Sequence, residues 1–163
     1  MPKANADERE ARILEAAHDL FVRFGYDKTT VGEVADAAGV SKGAIYLHFD
    51  SKDELFEAVM KRATADYSER WMERIEEDPQ GGTIGGIYKN ILGAMQGNPF
   101  VSAMLKRDKR LLGSYLHKKD SMVSRGNQTN HREDFVRMMQ EAGAVREDAD
   151  PAVVAHIMNI ISY

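Results

Sequence analysis

Apolar residues recur every three or four positions through most of the chain, which is the spacing of an amphipathic helix. The first such stretch runs from Asp7 to Phe24, with charged residues on the opposite face. Gly25 follows it, and glycine commonly ends helices because it adopts positive φ without a Cβ penalty. No convincing alternation of polar and apolar residues predicts a strand. The pattern therefore predicts an all-α protein.

Two short helices come next. Thr30 begins a capping-box pattern and predicts a helix that ends near Gly39. Ser41 is placed to cap a second short helix, which starts at Lys42 and ends near His48. Together with the first helix, these two complete a three-helix N-terminal unit.

A long helix and a C-terminal helical bundle complete the prediction. Ser51 begins another capping box, and the amphipathic pattern behind it lasts until a polar, glycine-rich break. Asp150 is placed to cap a last helix, with Pro151 at the first helical position, where the missing N–H costs nothing. The expected domains are residues 1–51 and residues 52–163. After the break at 78–82, helices are expected over 83–96, 100–119 (irregular near Gly113), 127–142 and 150–163.

The stretch from Thr29 to Leu55 carries the strongest functional signal. Two short helices joined by a tight turn, with Val34 and Ala38 packed against Ile45, form a helix-turn-helix. In this motif the second helix enters the DNA major groove with its N-terminal residues facing the bases. The residues at that end are Ser41, Lys42, Gly43 and Ala44.

Three polar side chains follow, and each has a structural alternative. Tyr46 could contact DNA or be a half-buried core residue, and His48 could instead serve the C-terminal end of its helix. Lys52 lies in the first turn of the next helix, where a cation is unfavourable for the helix dipole, which suggests compensation by an external anion. Lys42 could be an ordinary solvated lysine, although its place at the helix tip favours DNA.

The spacing of these residues is similar to that of a known family. The matching positions are Thr29-Thr30-Val31, Val34-Ala35, Ala38-Gly39-Val40-Ser41-Lys42-Gly43, Ile45-Tyr46, His48-Phe49 and Lys52-Asp53-Glu54-Leu55. They resemble the N-terminal domain of TetR-family transcriptional regulators over about residues 9–57. The resemblance implies an all-helical homodimer that binds a pseudo-palindromic DNA operator. It also implies C-terminal helices that enclose a pocket for a small effector and form the dimer interface, and chains of this family usually have another helix that completes this interface.

The resemblance also assigns roles to individual residues. Lys42, Gly43 and Ala44 are expected to face bases. Contacts with phosphate are expected from Thr30, Tyr46, His48 and Lys52. The implied pocket should be mainly apolar, because the chain after residue 60 has almost no net charge and supplies large, adaptable side chains. Those side chains are Trp71, Tyr88, Met95, Phe100, Met104, Tyr115, Phe135, Met138 and Met158.

Composition excludes several other functions. The chain of 163 residues contains no cysteine, so disulfides, cysteine-ligated zinc and cysteine nucleophiles are excluded. His117, His131 and His156 lack metal-binding spacing, and no catalytic pair stands at a recognisable distance. We therefore predict a protein that is not an enzyme and that needs no metal or cofactor. The polar N-terminus and the short apolar runs predict a cytoplasmic protein.

The overall charge does not indicate a DNA-binding protein. The net charge is −4, and residues 1–60 carry seven Lys and Arg against twelve Asp and Glu. DNA binding by this segment must therefore depend on where its few cations lie. The favoured function is a ligand-responsive transcriptional repressor. The acidic balance leaves one alternative open, a helical effector-binding or interaction protein whose helix-turn-helix no longer binds DNA.

Overall fold

The computed structural model of the chain describes residues 2–118, 137, 140 and 148–153. Over these residues the protein is helical and contains no strand, which confirms the predicted all-α class. None of their helices is long and apolar enough to cross a bilayer. The elements are α1 (Pro2–Phe24), α2 (Val31–Ala38), α3 (Lys42–Tyr46), α4 (Lys52–Glu77), α5 (Ile84–Met95), α6 (Pro99–Lys106), α7 (Lys109–Leu112) and a 3-10 helix (Gly113–His117).

Helix α1 begins earlier than predicted, at Pro2, and ends at Phe24 as expected. Gly25 closes it with a φ of 81°, and its N–H donates to the carbonyl oxygen of Phe21 at 2.8 Å. The backbone of α7 packs against this glycine, because a Cβ here would lie 2.2 Å from the carbonyl oxygen of Arg110. Both the positive φ and the close contact therefore require glycine at this position.

Helices α2 and α3 form the predicted helix-turn-helix, and both N-termini are capped as expected. Thr30 caps α2 in a complete capping box, and Gly39 ends that helix with a φ of 66°. The Ser41 hydroxyl accepts a hydrogen bond from the N–H of Ala44 at 3.1 Å and so caps α3. The local rules of helix capping thus fix both ends of the turn.

The second helix of the motif is shorter than predicted. It ends at Tyr46, with Leu47 as its C-cap, instead of near His48. The carbonyl oxygen of Ile45 accepts from the N–H groups of both His48 and Phe49 at 2.9 Å, a shared bond that is common at helix ends. Helices α2 and α3 contact each other, and the three residues predicted to pack between them, Val34, Ala38 and Ile45, are all buried.

Helix α4 ends at the predicted break, where Asp78 joins it to α5. The Asp78 carboxylate accepts hydrogen bonds from the Lys89 ammonium at 2.7 Å, the backbone N–H of Gln80 at 3.0 Å and the side-chain amide of Asn90 at 3.0 Å. These donors, Lys89 first, lower the pKa of Asp78 from 3.8 to about 2. The ionised carboxylate therefore stabilises this corner.

The expected long helix over 100–119 is wrong, because the structure divides this segment into three short elements. The first break comes at Arg107, which adopts a left-handed φ of 50° and donates its N–H to the carbonyl oxygen of Met104 at 3.3 Å. Asp108 then caps α7 by accepting from the N–H of Arg110 at 2.8 Å. The predicted irregularity near Gly113 is present as the start of the 3-10 helix, with a φ of 52°.

One hydrophobic core joins the N-terminal helices to α4, α6, α7 and the 3-10 helix. Its centre is a group of aromatic rings with centroids 4.7 to 6.4 Å apart, where the contacts of Phe56 with Phe21 and Tyr115 are edge-to-face. Such pairs contribute about 0.5–1.5 kcal/mol each beyond their buried area. The division of the chain at residue 51 stays a prediction.

At the C-terminal end, the described residues include the start of one predicted helix. The Asp150 carboxylate accepts from the N–H of Ala152 at 2.8 Å, and residues 151–153 are helical, with Pro151 first. The remainder of that helix lies outside the described residues, as does the helix expected over 127–142 apart from Arg137 and Gln140.

The Asp78 corner makes stability depend on pH. Because the folded pKa of Asp78 lies below its ordinary value, its stabilisation is complete above about pH 4 and is lost as the pH falls towards 2. Asp78→Asn should therefore lower the melting temperature at pH 7. Between these pH values, the melting temperature of the variant should fall by less than that of the wild type. Circular dichroism melts across this range measure the difference, with Asp66→Asn on the exposed surface of α4 as the control. If the melting temperature of Asp78→Asn fell as steeply with pH as that of the wild type, the stabilising role of the ionised Asp78 would be contradicted.

Candidate nucleic-acid interface

Helix α3 exposes one continuous face. Lys42, Gly43, Tyr46 and Leu47 are exposed, and their i, i+1, i+4, i+5 spacing places them on the same side of the helix. Ile45 is buried and faces the core. A short helix anchored on one side and bare on the other is the geometry of a recognition helix that enters the major groove.

The residues predicted to face bases lie at the N-terminal end of this face. Lys42 and Gly43 are exposed, and Ala44 is partly buried. Ser41 is exposed as well, but its hydroxyl is used in the cap of α3. The absence of a large side chain at Gly43 leaves the helix backbone open to a close approach. The assignment of base contacts to these residues stays a prediction.

Leu47 is a candidate contact residue that the sequence analysis missed. The residue is 80% exposed, more than any other large hydrophobic residue in the described part of the chain. It shares the exposed face with Tyr46, which is 46% exposed. An apolar side chain there could contact a thymine methyl group in the major groove. The i, i+4 spacing from Gly43 was a signal in the sequence that would have identified it.

Thr30 lies at the start of α2, in a geometry that gives it a structural role. Its hydroxyl donates to the Glu33 carboxylate at 2.8 Å and accepts from the Glu33 N–H at 3.2 Å. The same carboxylate accepts from the backbone N–H of Thr30 at 2.8 Å, and these bonds from Thr30 lower the pKa of Glu33. The predicted phosphate contact of Thr30 therefore has to coexist with its capping role.

His48 and Tyr46 occupy different surroundings. The side chain of His48 is only 15% exposed, and its Nδ1 atom lies 3.5 Å from a carboxylate oxygen of Glu10 in α1. Tyr46 keeps nearly half of its surface in solvent. The exposed tyrosine suits a phosphate contact better than the histidine, which lies after the end of α3 and is close to Glu10 of α1. Both phosphate contacts stay predictions.

The ammonium of Lys52 bonds within the protein. It donates to the carbonyl oxygens of Tyr26 at 2.9 Å and Thr29 at 3.2 Å, and it lies 4.2 Å from the centroid of the Tyr26 ring. An ammonium group has three N–H donors, so at most one is left for a phosphate. Backbone carbonyls thus stabilise this cation at the helix N-terminus. Its predicted phosphate contact remains untested, and the structure adds a role in holding the loop before α2.

The same loop is held from the other side by Lys118. Its ammonium donates to the carboxylate of Asp53 and, at 3.0 Å, to the Tyr26 hydroxyl, which itself donates to Asp53. The hydrogen bond with Asp53 is the main reason that the pKa of Lys118 is raised. Burial works against ionisation of Asp53, but the donors Lys118 and Tyr26 outweigh it and lower the pKa of that carboxyl.

Asp27 completes the attachment of the loop. Its carboxylate accepts from the backbone N–H of Ser114 at 3.0 and 3.1 Å and from the Ser114 hydroxyl. This hydroxyl is the largest of the influences that lower the pKa of Asp27. We call the set of Tyr26, Asp27, Lys52, Asp53, Ser114 and Lys118 the corner clamp. The clamp connects the start of the helix-turn-helix to α4 and to the 3-10 helix.

The residues predicted for an effector pocket do not form one enclosed cavity in the described structure. Phe100 and Tyr115 are fully buried in the aromatic core, and Trp71 and Met104 are partly buried. Met95 borders an open depression between α5 and α6, beside Pro99. The side chains of the other four lie outside the described part of the chain: Tyr88, Phe135, Met138 and Met158. The pocket assignment stays a prediction.

The described residues contain no group of three or more histidine, aspartate or glutamate side chains placed to hold a metal ion. His117 belongs to the 3-10 helix, whereas His131 and His156 lie outside the described residues.

Comparison with known proteins identifies similar sequences. The family model described as "Bacterial regulatory proteins, tetR family" matches residues 13–59. The HTH-type transcriptional repressor Rv1474c of Mycobacterium tuberculosis is 29% identical over 170 residues, which covers 99% of this chain and 83% of that protein. The HTH-type transcriptional regulator TtgR of Pseudomonas putida is 42% identical over 82 residues, which covers 48% of this chain and 39% of that regulator.

Solved structures share the fold. The transcriptional regulator FadR from Bacillus subtilis, solved in complex with stearoyl-CoA, superimposes with a TM-score of 0.63 at 20% sequence identity. The match covers 93% of this chain and 82% of that one. The helical architecture over the described residues is therefore one that bacterial regulators also adopt.

The clamp role of Lys52 can be tested separately from DNA binding. Lys52→Met keeps most of the side-chain length but removes the donors to two loop carbonyls, so we expect a loss of about 1–2 kcal/mol in the free energy of unfolding. Urea denaturation measures this loss, and Lys42→Met at the exposed tip of α3 is the matched control. Equal stability of the two variants would show that the clamp does not need this ammonium.

Proposed function

We propose that this chain, whose N-terminal domain belongs to the TetR family of bacterial regulatory proteins, is a sequence-specific DNA-binding transcriptional regulator that a small molecule controls. The observation that carries the proposal is the exposed face of α3, which presents Lys42, Gly43 and Tyr46 on a helix capped by Ser41. These are the features through which a recognition helix reaches the major groove.

The proposal extends to a homodimer that represses transcription from a palindromic operator. One recognition helix as short as α3 contacts too few base pairs for useful specificity, and a two-fold dimer doubles the site. We assign the interface to the C-terminal helices, including residues 150–163. A repressor among the similar sequences supports this direction of control. We further propose a cytoplasmic location and no enzymatic activity, since the similar proteins carry the names of transcriptional regulators.

The effector is proposed to bind among the C-terminal helices and to be mainly apolar. Residues 61–163 carry 15 Lys and Arg (22 − 7) against 14 Asp and Glu (26 − 12), so the region as a whole has no strong bias towards a charged ligand. The stearoyl-CoA bound by the similar B. subtilis regulator combines a long apolar chain with a polar head, and ligands of this class suit the proposal.

The alternative, a helical interaction protein that no longer binds DNA, has the acidity of residues 1–60 in its favour. We favour the regulator because α3 keeps its caps and its bare face, which an interaction protein would not require.

DNA binding is tested with a duplex that the wild-type chain selects from a random pool. We expect Tyr46→Phe to weaken binding to all sequences alike, whereas Lys42→Ala should also blur the sequence preference, because phosphate contacts position and base contacts specify. Anisotropy titrations over a salt series measure both effects and the number of chains per duplex. Each phosphate-paired cation lost should lower the log–log salt slope by about one.

Two further variants sharpen that experiment. Thr30→Ser retains the α2 cap and should bind as the wild type does, whereas Thr30→Ala removes both the cap and the contact. A folded Lys52→Met variant with unchanged affinity and slope would show that Lys52 does not contact phosphate. Failure of the wild type to select any duplex would contradict the proposed function itself.

Effector control is tested by ligand screening. In a screen of small apolar molecules, with free fatty acids and the amphipathic stearoyl-CoA added to it, we expect a ligand that raises the melting temperature and also releases the selected duplex, because it must bind one of two states preferentially. Thermal shift and anisotropy measure the two responses. A ligand that stabilises the fold but leaves DNA affinity unchanged would show that its pocket is not the regulatory switch.

A further inference from the structure

A dense group of cations lies beside the helix-turn-helix but outside it. The segment 106–110 has the sequence Lys-Arg-Asp-Lys-Arg, and all four of its cations are exposed. Lys28, in the loop before α2, is exposed as well. We call these five residues the basic corner: Lys28, Lys106, Arg107, Lys109 and Arg110.

The cations of the basic corner are weakly neutralised by the protein itself. Asp108 approaches the Arg110 guanidinium no closer than 3.9 Å, and Arg110 remains 76% exposed. The carboxylate of Asp27 is occupied by the N–H and hydroxyl groups of Ser114. Within the described part of the chain, the other four cations form no ion pair within 4.0 Å. The basic corner is thus a positive surface in a chain with a net charge of −4.

Backbone contacts fix this surface next to the start of α2. The carbonyl of Arg110 packs against Gly25, and the carbonyl oxygen of Leu111 accepts from the N–H of Tyr26 at 2.8 Å. The loop held in this way leads directly through Lys28 to Thr30, where α2 begins. The cations of α7 therefore lie beside the loop that ends at the proposed phosphate contact of Thr30.

We propose that the basic corner binds phosphates of the operator backbone that flank the major-groove site, so that α6 and α7 extend the DNA-binding surface. The proposal rests on the proposed function and adds a second source of affinity to it. Neutralised phosphates release counterions, and the resulting attraction is independent of sequence. Residues 1–60 carry five more acids than bases, so cations supplied from 106–110 offset a charge that would otherwise repel DNA.

The test compares two double variants of the full chain. Lys109→Ala/Arg110→Ala removes two cations of the basic corner. Lys61→Ala/Arg62→Ala removes an exposed pair from α4, roughly 14 Å along the helix from Lys52 at 1.5 Å per residue, and is the matched control. Circular dichroism first checks that both variants melt as the wild type does. Affinity is then measured over a salt series with the duplex selected by the wild type.

For the basic-corner variant we expect the log–log salt slope to fall by about four, one for each of the two cations removed from each subunit of the dimer, with the sequence preference retained. Extension of the duplex beyond the half-sites should strengthen binding of the wild type and of the control, but not of this variant. The control should keep the slope of the wild type.

The outcomes separate the two proposals. If the basic-corner variant keeps the salt slope of the wild type and still binds more tightly to longer DNA, this inference is overturned. The proposed function then stays intact, provided that the wild type binds its duplex. An equal loss of slope in the control would also overturn it, because the effect would then come from net charge alone. A wild-type chain that binds no duplex would overturn the proposed function first.

Discussion

The position of the helix-turn-helix depends on the loop between α1 and α2, which the rest of the protein holds from two sides. Lys52, in the first turn of α4, donates to two carbonyl oxygens of the loop. On the other side, Ser114 in the 3-10 helix donates to the carboxylate of Asp27 in the loop. Gly25 makes this arrangement possible, since any Cβ there would collide with the backbone at Arg110. A loop fixed in this way gives α2, and hence α3, one orientation relative to α4.

The features that the sequence predicted correctly are those that depend on neighbours along the chain. Capping by Thr30 and Ser41 and the left-handed turn at Gly39 involve residues three or four positions apart, so their geometry follows from local rules. The burial of Val34 and Ile45 follows from helical periodicity. Most of the helix-turn-helix could therefore be predicted without knowledge of the fold.

The features that were missed depend on contacts between distant segments. Nothing near Lys52 in sequence indicates that its ammonium reaches the carbonyl of Tyr26, 26 positions earlier. The break at Arg107 was unexpected because a non-glycine residue takes the left-handed conformation there, which local propensity disfavours. That break turns the chain so that α7 can pack on Gly25. Long-range packing thus decided both the role of a predicted site residue and the division of a predicted helix.

The corner clamp also places a physical constraint on any regulation of the helix-turn-helix. Asp53 at the start of α4 and Tyr26 in the loop share the ammonium of Lys118, so movement of the segment that follows the 3-10 helix changes the environment of both. Separating these partners gives up several hydrogen bonds at once, including those that Asp53 accepts from Lys118 and from the Tyr26 hydroxyl. The loop, the first turn of α4 and the 3-10 helix therefore tend to move together or not at all. A signal from the C-terminal helices that shifts this unit would carry α2 and α3 with it, and the helix-turn-helix needs no hinge of its own.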